Sequence, residues 1–236
     1  MALLGALLLV SGGLAAQTFS SGPQQVSLIE LYTSEGCSSC PPAEEYLNSL
    51  QNHPKLWQRF IPLALHVDYW DYLGWRDKFA SPSHTQRQRQ YARVNAQRTI
   101  YTPGFFVDGR PWRPGLFGSL PDLAQRKVGE LKLELNKQHV QAQFHPLDSA
   151  SRANVLTVAV LGMGYQSQIQ AGENGGRSAR HDFVVLNHTQ VTGQEHRWSL
   201  ELPKFESNGA KRLALVAWVS DPGSPVPLQA VGGFLH

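Results

Sequence analysis

Cysteine is scarce in this 236-residue chain, which has two and no second pair. A zinc site built from two cysteine pairs is thereby excluded, and any metal held by these thiols needs histidines to complete its ligands. Charge is also sparse, at 17% of residues with a formal net charge of +3. No dense lysine or arginine run exists; the richest stretch, Arg87, Arg89, Arg93 and Arg98, is diluted with glutamine at helical spacing. It reads as a solvated helix face, so nucleic acid is not an expected partner. A repeat of fixed period and a low-complexity tract are both missing. Long apolar runs are missing too, except over residues 1–16, MALLGALLLVSGGLAA. That run is short for a membrane span and right for a signal-peptide core, with Gly13 and Ala15 as the small residues before a cut after Ala15. No lysine or arginine precedes it, and a short uncleaved anchor is the other reading. The expected location is periplasmic or secreted.

What is present begins with a core: 42% hydrophobic residues exclude a disordered chain. The two cysteines stand together as Cys37-Ser38-Ser39-Cys40. A structural staple works by closing a long loop in the unfolded chain, and this pair closes almost none. The spacing suits reversible chemistry, in which one thiolate attacks a disulfide and its neighbour resolves the product. Upstream, Val26 to Thr33 (VSLIELYT) reads as a buried strand. Downstream, Pro41-Pro42 with Glu44 and Glu45 reads as a helix opening, proline and acids both suiting the first turn. Strand, loop, CxxC and helix in that order place Cys37 where backbone N–H groups and the helix dipole favour a thiolate, with Cys40 more buried. Glu35 opposes that effect if it lies close. A metal reading stays open beside the redox one: copper or zinc held by Cys37, Cys40 and His66. So does a disulfide without activity, in a fold that serves as a binding module.

A second element fits the redox reading. Thioredoxin-type proteins face their CxxC with a cis-proline, and Pro103 in Tyr101-Thr102-Pro103-Gly104-Phe105-Phe106 is the candidate, ahead of a strand that ends in the hairpin signal Asp108-Gly109. An ordinary trans-proline is the commoner state of such a bond. Between the two elements Arg59 to Tyr69 reads as a buried strand and Ser83 to Gln97 as a helix. Asp68 to Ser81 forms an inserted loop rich in aromatics, including Trp70 and Trp75. The loop either packs on its own domain or, with Thr102, contacts substrate. Glu30, inside the first strand, is a candidate buried proton acceptor for Cys40. His66 is either a hydrogen-bonded core residue or a base or ligand beside the dithiol.

The runs IELYTSEGCSSCPPAEEYL, LALHVDYWDYLGWRDKFASP and YTPGFFVDG resemble a family of secreted bacterial thioredoxin-like proteins known as domain of unknown function 1223. The likeness is dense from about residue 26 to 110 and sparser through 172–177 and 181–185. It implies a thioredoxin-like fold and the paired cysteines, and it brings no settled reaction. Gly36 stands where thioredoxins carry a tryptophan, and Ser38-Ser39 matches neither the reductase nor the oxidase dipeptides.

Beyond this unit, Leu120 to Leu135 reads as a helix with leucines at core spacing. Short apolar stretches at 140–144, 155–161, 183–186, 197–202 and 212–219, parted by turn residues, then suggest antiparallel strands. Gly172 to Arg177 reads as a connection between strands, a reach of Glu173 or Arg177 to the active-site edge being the lesser alternative. The expectation is an α/β thioredoxin-like fold over residues 24–137 with an inserted aromatic loop, followed by a small, mostly antiparallel β-sandwich over 138–236. The expected chemistry is thiol–disulfide exchange with protein or peptide thiols and disulfides. It needs no cofactor and would draw on a membrane-bound electron donor in the bacterial envelope. Cys37, Cys40, Pro103 and Glu30 are the expected catalytic group.

Overall fold

The computed structural model describes residues 16–115, 119–207 and 209–236; the apolar run up to residue 15 lies outside them. In chain order the elements are β1 (Gln17–Ser20), β2 (Ser27–Thr33), α1 (Pro41–Ser49), β3 (Phe60–His66), α2 (Pro82–Val94), β4 (Gly104–Val107) and β5 (Arg110–Trp112). There follow β6 (Gly129–Asn136), β7 (His139–Pro146), β8 (Val155–Met163), β9 (Tyr165–Gln168), β10 (Ser178–His181), β11 (Val184–Thr192), β12 (Arg197–Glu201), β13 (Arg212–Ser220) and β14 (Gln229–Phe234). The described chain is therefore mostly β, with two α-helices.

Eight strands form one sheet in the order β14-β13-β8-β11-β3-β2-β4-β5. β2, β3 and β8 are buried along their whole length, as expected of strands covered on both faces. One face carries the larger core cluster, including Leu28, Tyr32, Leu47, Phe60, Tyr91 and Phe106. The other is covered by a second sheet, β1-β6-β7-β12, whose Leu131, Leu133, Phe144 and Trp198 pack on Val158, Val160 and Leu215.

This architecture corrects the expected α/β thioredoxin-like fold followed by a separate β-sandwich. Strands from both halves of the chain share the eight-stranded sheet. The joint is the parallel pairing of β11 with β3, where Val184 meets Ala64 and the Ala64 N–H donates to the Phe183 carbonyl at 2.8 Å. The helix expected at 120–135 is likewise absent. Its second half is β6, in which Leu131 and Leu133 are buried while Lys132 and Glu134 are exposed. The sequence Leu-Lys-Leu-Glu-Leu alternates with the period of a strand, and the same leucines only mimic helical spacing. Expected strands at 140–144, 155–161, 183–186, 197–202 and 212–219 correspond to β7, β8, β11, β12 and β13.

The hairpin β4–β5 closes through Asp108 and Gly109, at φ 48° and 76°, the paired left-handed conformation that an Asp-Gly turn supplies. Asp108 Oδ1 accepts the Leu28 N–H at 2.9 Å. Burial outweighs this bond and pushes its carboxyl up from 3.8 to about 6. Because the folded value lies above the ordinary one, the folded chain binds a proton between these limits, and stability is lost as pH rises from about 4 through 6. Asp108→Asn keeps the accepting oxygen and the turn preference while removing the buried charge. It is expected to stabilise the protein by about 1–3 kcal/mol at pH 7.5, the gain shrinking to near zero at pH 4. Urea denaturation at the two pH values measures the difference.

Candidate functional site

Cys37 and Cys40 form a disulfide with their Cα atoms 5.4 Å apart. The tight turn is held by the Cys40 N–H donating to the Cys37 carbonyl at 3.1 Å, and Cys40 is the N-cap residue of α1. Both cysteines are buried, whereas Ser38 and Ser39 between them are exposed. The Ser39 hydroxyl stands 3.4 Å from Cys37 Sγ.

Two segments converge on this turn. The first is the aromatic loop, which packs down on its own fold: Trp70 Nε1 donates to Thr102 Oγ1 at 2.8 Å, and Trp75 Nε1 donates to Glu35 Oε2 at 2.7 Å. Gly36 gives Trp70 room, since a Cβ there would stand 3.3 Å from that of Trp70. Only Tyr72, 81% exposed, projects from the loop as a large free ring. The second is the β9–β10 connection. Asn174, buried, donates from Nδ2 to the carbonyls of both Glu35 and Cys37 at 2.9 Å, and Glu173 Oε2 accepts the Ser38 N–H at 3.2 Å. Glu173 thus realises the lesser of the two readings of this connection, and no sequence signal marked Asn174.

Pro103 follows a cis peptide bond to Thr102. With Ser39, Pro42, Tyr46 and Trp112 it lines a groove of about 600 Å³ that begins at the exposed side of the dithiol turn. On the opposite flank of α1 a cavity of about 550 Å³ is lined by Glu35, Glu44, Asn48, Asn174, Arg180 and His181.

Glu30 is held in a buried ion pair. Its carboxylate is joined to Arg87 through Nε at 2.7 Å and Nη2 at 2.9 Å, and it accepts the hydroxyls of Tyr91 at 2.5 Å and Tyr32 at 3.1 Å. None of these contacts runs to a cysteine; through them Glu30, the expected acceptor of the Cys40 proton, ties α2 to β2. Arg87 is correspondingly buried, which corrects its reading as part of a solvated helix face. The helix α2 starts at Pro82, one residue before the expected Ser83, and ends at Val94, with Ser81 as N-cap, its hydroxyl accepting the Ser83 N–H. Burial raises Tyr32 and Tyr91 well above the usual phenol range, with the Glu30 charge adding to it.

The acids and bases that gather under the dithiol turn are others. His66 Nδ1 donates to Asp77 Oδ2 at 2.6 Å, and the same oxygen accepts the Glu35 N–H at 2.9 Å. His181 Nδ1 donates to Glu44 Oε2 at 2.5 Å, while Thr33 Oγ1 donates to Glu44 Oε1 at 2.6 Å. His181 Nε2 lies 3.1 Å from Glu35 Oε1, near enough for an ion pair but out of line for a hydrogen bond. Burial works against a charged imidazole at His181, yet the two flanking carboxylates outweigh it and raise the group to about 10. His66 is raised as well, the Asp77 carboxylate overcoming burial. The Glu35 and Asp77 carboxyls are held low against burial by His181 and His66 respectively. His66 is thus a hydrogen-bonded core histidine. Of the alternative ligand set for copper or zinc, Cys37, Cys40 and His66, both sulfurs are joined in the disulfide here, and His66 lies with Glu44 and His181.

Residues 28–220 match the family described as "Protein of unknown function (DUF1223)". Among solved structures the chain is similar to protein AGR_C_4864 from Agrobacterium tumefaciens, with a TM-score of 0.60 and 21% identity over 90% of this chain and 95% of that one. It is also similar to HBP35 of Porphyromonas gingivalis, with a TM-score of 0.59 and 16% identity over 90% of this chain and 76% of that one. At such identities the likeness shows the fold alone. No curated protein matches the chain.

Proposed function

This chain belongs to the DUF1223 family of proteins of unknown function, and from that premise we propose that it exchanges thiols and disulfides with protein or peptide partners in the bacterial envelope. The observation that carries the reading is the closure of its only two cysteines into a four-residue disulfide turn at the start of α1. So short a ring contributes little to stability through the unfolded chain. Export is consistent with a disulfide, and among the described residues no helix is long and apolar enough to cross a membrane.

In the exchange a partner thiolate attacks one sulfur of the disulfide. The S–S bond breaks, a mixed disulfide forms, and the other cysteine leaves as a thiolate. A second partner thiol then resolves the mixed disulfide, so the partner dithiol loses two electrons and Cys37 and Cys40 gain them. A membrane-bound dithiol donor would supply this reduction, and the groove beside Thr102 and Pro103 would seat the partner chain. Trp70 acts on that groove indirectly, by holding the Thr102 hydroxyl. Burial of both sulfurs means that the turn must open for attack, and the Asn174 contacts are what keep it shut.

The test is equilibration of the folded protein in defined glutathione buffers, read by thiol alkylation and mass. A reversible two-electron transition is expected, at a potential between about −120 and −270 mV, abolished by Cys37→Ser or Cys40→Ser. If the native protein stays oxidised in every buffer while the unfolded chain is reduced, the disulfide is structural and the proposal fails.

A further inference from the structure

We propose that Glu44, His66 and His181 form a binding site for a first-row divalent cation, zinc being the ion that best fits two imidazoles and a carboxylate. One oxygen of Glu44 and one ring nitrogen from each histidine lie within 4.8 Å of one another, and all three residues are buried. The site is distinct from the disulfide, and its proposal does not depend on the redox reading.

Three observations converge on it. The first is a charge imbalance. Glu35, Glu44 and Asp77 bring three carboxylates into the interior, and no lysine or arginine is ion-paired to them among the described residues. Two histidines face these three acids, so even with both imidazoles charged the cluster is one cation short, and a buried carboxylate without a cation is costly. The second is an unused donor atom. His66 is fully buried and its Nε2 has no hydrogen-bond partner, while its Nδ1 is fixed by Asp77. A carboxylate that grips one imidazole nitrogen leaves the other as a ligand of set orientation and raised basicity, the arrangement found behind metal-bound histidines. The third is access: the cavity of about 550 Å³ beside α1 reaches both Glu44 and His181, giving an ion a route to a buried site.

The ion would take His66 through Nε2 and replace the proton that His181 and Glu44 share. Two imidazoles and one carboxylate leave a fourth position open, which in zinc sites accepts water or an exogenous ligand. Glu35, already held by Trp75 and facing His181, is placed to accept a hydrogen bond from that position.

Untagged protein with its disulfide intact would be freed of metal, then titrated with Zn²⁺ by calorimetry and with Co²⁺ by visible absorption. One ion per chain is expected, with ligand-field bands and no thiolate-to-cobalt charge transfer, which separates this site from one made by the cysteines. Zn²⁺ should raise the melting temperature of the wild type. His66→Asn keeps an N–H for Asp77 but removes Nε2, and should weaken Zn²⁺ binding at least tenfold and abolish that thermal shift. Glu44→Gln provides the same test if the first variant fails to fold. The proposal is overturned if the folded wild type binds neither ion up to millimolar concentration. It is also overturned if the folded variant binds as the wild type does, or if the cobalt spectrum carries thiolate bands.

Discussion

Arg87→Met is expected to cost about 3–5 kcal/mol of stability, because it leaves the Glu30 carboxylate buried without its cation. The guanidinium meets both oxygens of Glu30, the bidentate geometry that makes such pairs strong, and Nη2 also donates to the Tyr91 hydroxyl at 2.7 Å. Its Cζ lies over the Trp218 and Tyr91 rings, 4.8 and 4.9 Å from their centroids. Methionine restores much of the packed volume, so the loss reports the charge and not a cavity. The control is the double variant Arg87→Met with Glu30→Met. It removes the orphaned charge and should recover more than half of the loss, the hydroxyls of Tyr32 and Tyr91 accounting for the remainder. Urea denaturation at pH 7 with a double-mutant cycle measures both. A single variant that loses less than about 1 kcal/mol, the value of an exposed pair, would show that water reaches Glu30.

The second large effect concerns access to the disulfide. Asn174→Ala is expected to speed reduction of Cys37–Cys40 by dithiothreitol about tenfold or more. Asn174 holds two backbone carbonyls of the dithiol turn at once, and its own oxygen is steadied by Arg177 Nη1 at 3.2 Å. Losing two hydrogen bonds of about 1 kcal/mol each lowers the cost of opening by an amount that corresponds to about tenfold or more. Glu173→Gln should matter far less, since that carboxylate is exposed and forms its bond to Ser38 in water. Stopped reactions at a fixed thiol concentration, trapped with an alkylating reagent, give both rates. Equal rates for Asn174→Ala and the wild type would mean that the β9–β10 connection does not limit attack and that the sulfurs are reached by another path.

Local signals were legible in the residues where the chemistry is short-range. The Cys37–Cys40 spacing, the prolines that open α1 and the Asp108–Gly109 hairpin each depend on a few neighbouring dihedrals, and the structure holds each of them. β6 was misread for the opposite reason: its leucines satisfy two periods at once, and pairing with β1 and β7 selects the strand. Arg87 shows the limit of charge patterns. On a helix diluted with glutamine it resembles its exposed neighbours, and only the packing of α2 over Glu30, 57 positions away, makes it internal.

Residues by themselves determined a folded chain with a buried strand, a cysteine pair and a helix in that order. They also determined that a turn follows Val107, because steric and capping preferences act over a few bonds. Tertiary structure decided that the two halves share one sheet, that Glu30 belongs to an ion pair, and that His181 meets Glu44 from 137 positions away. The physical reason is the parallel seam between β3 and β11. Hydrogen bonding between those strands carries the end of β10 over the first turn of α1, and no local preference in either segment encodes that meeting.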